Sequence, residues 1–207
     1  MTNDIDQARE NLAFMRALAD SPTTPNRAMG QSFLAAGLIY GFQTLVQWGA
    51  AVGLIPLPSP FYLVFVIGCT VLFLAVLAWI IWSHRNKGTR TAIGRAYEAA
   101  FMAAGLINLS LVTVFIVFSI RDSNVAIWDY YTPILFIFQG GAWTIAYRLS
   151  RKLWLGSVAA GWFVAAIGLA VTNSTATYVL IASLAMFLLL ALPGWKMMKT
   201  AADEDAD

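Results

Sequence analysis

Residues 61–82 read FYLVFVIGCTVLFLAVLAWIIW, and this stretch decides the fold class. It contains no Asp, Glu, Lys or Arg. About 20 apolar residues in a helix are enough to cross the roughly 30 Å hydrocarbon core of a bilayer. In hydrocarbon each backbone N–H and C=O must find its partner inside the protein, so an uninterrupted apolar run of this length predicts a transmembrane helix. The strand of a membrane barrel would be shorter and would alternate apolar with polar residues.

Working outward, five further stretches have the same character: 33–55, 99–120, 130–147, 153–172 and 176–192. None has a carboxylate or a Lys or Arg in its interior. The expected fold is all-α: a polytopic bundle of six transmembrane helices with an amphipathic surface helix at its N-terminal end. The expected organisation is a cytoplasmic helix and linker over 1–27, the transmembrane domain over 28–195, and an acidic cytoplasmic tail over 196–207. The composition agrees. Apolar residues make up 59% of the 207 and charged residues 12%, against about 45–50% and about 25% in soluble domains. Mean hydropathy is +0.69.

The charges fix an expected orientation. Arg9, Arg16 and Arg27 precede the first stretch, and Arg85, Lys87, Arg90 and Arg95 separate the second from the third. Arg148, Arg151 and Lys152 separate the fourth from the fifth, and Lys196 and Lys199 follow the sixth. Twelve of the 13 basic residues thus fall on one side, and only Arg121 on the other. Cytoplasmic loops carry the excess of Lys and Arg, so both termini are expected in the cytoplasm. Tyr and Trp cluster near the ends of the stretches, as rings with an apolar body and a polar edge do at membrane interfaces. The short loops look like those of a bacterial inner-membrane protein.

The N-terminal region is not a secretory signal, because Asp4, Asp6 and Glu10 stand where basic residues would and no apolar run begins before Phe33. Residues 4–20 instead place Ile5, Ala8, Leu12, Met15 and Ala19 on one helical face, with charges of both signs on the other. Ser21-Pro22 ends the pattern. This helix is expected to lie on the membrane surface or to dock a protein partner. The tail Asp203-Glu204-Asp205-Ala206-Asp207 reads as a solvated acidic end.

Ala-Ala-Gly occurs at 35–37, 103–105 and 159–161, each time about one to two turns into an odd-numbered stretch. Either the chain is three copies of one helical hairpin, or an alanine-rich sequence has repeated the tripeptide by chance. Small residues at this depth let helices approach closely, which marks Gly37, Gly41, Gly49, Gly53, Gly105 and Gly161 as packing positions, within the bundle or between protomers of a homo-oligomer. In helix count the chain resembles the mitochondrial carriers. That family ends its odd helices with a proline, an acid and a base, whereas here the first odd stretch ends Ile55-Pro56-Leu57-Pro58. The resemblance therefore carries no function.

No catalytic pattern stands out. There is no His-Glu-x-x-His, no Gly-x-Ser-x-Gly and no phosphate-binding glycine loop. His84 is the only histidine and Cys69 the only cysteine, so neither a zinc site nor an internal disulfide is expected. No enzyme activity, cofactor or nucleic-acid partner is expected. Membrane-embedded charges would mark proton or ion coupling, and none is present. Neutral polar residues do occur at depth: Gln43 and Gln47 in the first stretch, Asn108 in the third, and Gln139 in the fourth, one turn from Trp143. An amide facing lipid is costly, so these should point inward. They either make interhelical hydrogen bonds or line a mid-membrane pocket for a small uncharged or amphipathic solute. Two functional classes follow. The leading one is an accessory or regulatory membrane subunit, and the alternative is a transporter or facilitator using that pocket.

Overall fold

The computed structural model describes residues 27–56, 58–85 and 92–204. The amphipathic helix expected over 4–20 and the last three residues of the tail lie outside the described residues. The helices are α1 (Arg27–Ala51), α2 (Ser59–His84), α3 (Ala92–Arg121), α4 (Tyr131–Ser150), α5 (Leu153–Val171) and α6 (Ala176–Met186). A π-helical turn, Phe187–Ala191, carries α6 without a break into α7 (Leu192–Glu204). A 3-10 turn, Val125–Tyr130, leads into α4. No strand occurs among the described residues.

Local chemistry sets the ends. Asn124 Oδ1 accepts from the Ala126 N–H at the start of the 3-10 turn, and the Thr175 side chain accepts from the Tyr178 N–H at the start of α6. Past α1, the Leu54 and Gly53 N–H groups bond to the Gly49 and Ala50 carbonyls, with Gly53 at φ 78°. This left-handed closure needs glycine and ends the helix. Pro193 has no N–H to give the Leu189 carbonyl four residues back, and the π turn sits where the α pattern would have needed it. The sixth apolar stretch therefore does not stop before the proline, and the helix runs on to Glu204.

Among the described residues four helices are long and apolar enough to cross a membrane: Pro60–His84, Ala99–Arg121, Leu153–Val171 and Ala176–Ala201. α1 and α4 fall below that measure, and they are the helices that carry Gln31, Gln43, Gln47 and Gln139. At the far end of α3, Arg121 makes a two-pronged contact with Asp122, at 2.7 and 3.0 Å. Hydrogen bonding from Arg121 holds the Asp122 carboxyl below the usual carboxylate range.

Packing runs in one unbroken succession. α2 lies on α1, α1 on the α6–α7 rod, that rod on α5, α5 on α4, and α4 on α3. α2 and α3 are consecutive in sequence but do not pack along each other, so the ring stays open between them. The core lies on the opposite side, around Phe136, Trp143, Leu155 and Trp162, all fully buried.

Glycine decides the closest approach. A Cβ on Gly37 would collide with the Ala191 backbone, and one on Gly194 with the Leu34 N–H. One on Gly30 would stand 2.9 Å from the Gly194 carbonyl oxygen, and one on Gly41 2.9 Å from the Phe187 ring. The Ser183 hydroxyl donates to the Gly41 carbonyl across the same seam, at 3.0 Å. Gly37, Gly41 and Gly161 are therefore packing positions. Gly49 is covered by Ile55 from its own chain end, whereas Gly53 and Gly105 meet nothing within 4 Å. Gly53 is a turn residue, which corrects its reading as a helix contact.

The three Ala-Ala-Gly segments are not used alike. Gly37 of α1 and Gly161 of α5 both press on the same π turn, at Ala191 and Leu189, while Gly105 of α3 is free. α4 packs on α5 and α6 on α1, but the corresponding α2–α3 contact is missing. Three equivalent hairpins do not describe this packing.

Candidate functional site

α1, α3 and α4 face one another along a seam marked by contacts among aromatic side chains. The seam follows a seven-residue spacing, which returns a helix to nearly the same face. On α1 it takes Phe33, Tyr40 and Gln47, and on α3 it takes Phe101, Asn108 and Phe115. On α4, Trp143, Gln139 and Phe136 stand four and seven residues apart.

The seam has three layers. At one end Phe33, Phe101 and Trp143 meet, with ring centroids 4.6 Å apart for the two phenylalanines and 5.2 and 5.4 Å from each to the indole. At the other end Phe115, Trp128 and Tyr131 form a second trio, with centroids 5.5–5.8 Å apart. From Phe101 to Phe115 the helix rises roughly 21 Å. Between the two aromatic layers α3 carries Asn108. The Tyr131 hydroxyl reaches down and donates to Asn108 Oδ1. Tyr40 lies within electrostatic reach of Tyr131 and beside Thr70 of α2, and its ring packs on Phe73.

Several polar atoms on α1 and α4 are buried without a partner among the described residues: Gln43 Oε1, Gln139 Oε1 and Trp143 Nε1. Gln43 is 9% exposed and Trp143 fully buried. Trp162 Nε1 is unpartnered too, with its indole edge-on to Phe136 at 4.7 Å. A buried donor or acceptor left unpaired costs about 1–3 kcal/mol, so several on two helices are unusual. α1 reaches α3 and α4 through rings rather than by close backbone approach, whereas α3 and α4 pack directly on each other.

Of the five residues expected to form a pocket, Asn108 accepts from Tyr131, Trp143 packs on Phe33 and Phe101, and Gln43 and Gln139 are at least partly buried, each with an unpartnered oxygen. Gln47 lies half-buried one turn beyond Gln43, toward the upper aromatic layer. Tyr40, Tyr131, Phe33 and Phe101 are additional members of the seam. For Phe33, Tyr40 and Phe101 the signal was present in the sequence as the 33/40/47 and 101/108/115 spacing; Tyr131 carried no such signal. Among the described residues no cluster of His, Cys, Asp or Glu is disposed to hold a metal ion.

The class these observations define is a helical protein with several helices apolar enough to span a bilayer. No family model matches the chain, and no curated protein or solved structure matches it either.

Proposed function

We propose that this chain is a six-span membrane protein with both termini in the cytoplasm, and that the α1–α3–α4 seam binds a small uncharged or amphipathic molecule for passage across the membrane. The observation that carries this reading is the set of buried, unpartnered polar atoms on α1 and α4, Gln43 Oε1, Gln139 Oε1 and Trp143 Nε1. A neutral solute with one donor and one acceptor satisfies Gln43 or Gln139 and the Trp143 N–H without bringing a charge into the bilayer. The aromatic trios act as inner and outer barriers. The six-span count is supported by the placement of α1 and α4 inside the packing, where a helix with amides is tolerated. The orientation rests on the positive-inside bias.

The test is chemical access. In a Cys69→Ala background, Gln43→Cys and Gln139→Cys are expected to react with a small neutral thiol reagent in proteoliposomes, while Leu169→Cys, in the dry core, is not. If both seam positions are as inert as residue 169, the seam is packed structure and the transport reading is wrong.

A second reading is supported by a different observation. In the α2 and α3 spans only 11% of the residues are buried, against 33% in the other two apolar spans. Gly68 and Gly105, on those two helices, meet nothing within 4 Å. These bare faces suit an accessory subunit that offers helices to a partner. Purification in mild detergent at native expression, followed by mass spectrometry, separates the readings: a stoichiometric protein partner favours the subunit, and its loss on deletion of residues 1–20 would assign the contact to the N-terminal helix.

A further inference from the structure

Away from the seam, a groove of about 280 Å³ opens between α5 and the π turn. It is near the lower end of small-molecule sites, which run from roughly 300 to 1,000 Å³. α5 contributes Trp154 and Ser157, and the opposite wall is Leu188, Leu189, Leu192 and Lys196. The π turn, just ahead of Pro193, supplies Leu188 and Leu189 to one wall of the groove. Most of its lining is apolar, and the single charge is at one end.

Lys196 Nζ stands 4.6 Å from the Trp154 ring centroid. No described carboxylate is in ion-pair contact with it. Lys199 follows within one turn, and Lys152 stands two residues before Trp154. An apolar trough that ends in a Trp and a lysine has the pattern of an acyl chain continued by an anionic headgroup. We propose that this groove is a binding site for one anionic phospholipid, with an acyl chain along Leu188 and Leu192 and its phosphate on Lys196. The site is separate from the α1–α3–α4 seam and stands whether or not that seam conducts a solute.

Native mass spectrometry of the full-length protein in mild detergent tests it, using phosphatidylglycerol and phosphatidylcholine with identical acyl chains. The wild type is expected to retain phosphatidylglycerol several-fold more than phosphatidylcholine. Lys196→Gln should reduce that preference to parity. Leu188→Trp, which fills the trough from an exposed position, should lower retention of both lipids. Should Leu188→Trp lower the melting temperature, Ser157→Trp fills the same trough from α5. Excess glycerol phosphate should leave the bound lipid in place; displacement by it would mean that the site reads a free phosphate and the lipid assignment fails. Equal retention of the two lipids by the wild type, or an unchanged preference in Lys196→Gln, overturns the proposal.

Discussion

Gly37 and Gly105 hold the same place in the same tripeptide, yet a methyl group at each meets different surroundings. At Gly37 it would drive into the backbone of Ala191, which cannot rotate away. Gly37→Ala is therefore expected to destabilise the bundle by about 1–3 kcal/mol, the usual scale of overpacking. At Gly105 there is no neighbour within 4 Å. Gly105→Ala should be neutral or stabilising by up to about 1 kcal/mol, since alanine is the better helix former. Thermal unfolding of the two variants in the same detergent checks both, and equal melting temperatures would contradict the packing described here. The tripeptide was visible in the sequence, but the difference between its copies was not, because the sequence does not say which helix lies opposite.

Two elements carry their own tests. α3 and α4 are joined by the hydrogen bond from Tyr131 to Asn108. Tyr131→Phe removes the donor and leaves the Asn108 oxygen unpaired, at an expected cost of about 0.6–2 kcal/mol. Adding Asn108→Leu to it should cost less than the sum of the two single changes, and an additive double-mutant cycle would mean that the bond contributes nothing. The π turn is the other case. Pro193→Ala restores an N–H facing the Leu189 carbonyl, so residues 187–195 are expected to tighten toward the α pattern. Amide exchange over this segment should slow, and unchanged exchange would place the cause of the turn in the α1 contact at Ala191 instead. Pro193 could be read in advance as a break after the sixth stretch. That the helix bulges and continues was not readable, since continuation depends on Gly194 fitting against Gly30 and Leu34.

For the whole molecule, the decisive question is whether α1 and α4 cross the bilayer. If α4 does, Ser123 and Ser150 lie on opposite sides; if it does not, they lie on the same side. In a Cys69→Ala background, Ser123→Cys and Ser174→Cys are expected to react in intact cells with a membrane-impermeant maleimide. Ser150→Cys and Thr200→Cys should react only after permeabilisation. Labelling of residues 123 and 150 from the same side would remove α4 from the count of spans.

The sequence by itself determined the helical class and the approximate position of each described helix. These follow from properties local to each segment: apolar length and backbone pairing within a helix. It also marked Gln43, Asn108, Gln139 and Trp143 as inward-facing, because an amide or indole N–H has nothing to bond in lipid. Only the tertiary structure decided that Phe33, Phe101 and Trp143 close one end of their seam. It alone also decided that the ring stays open between α2 and α3, and that a π turn beside Lys196 forms one wall of a groove. Each of these depends on which faces meet across distant parts of the chain, and contacts between such parts leave no mark in the spacing within either one.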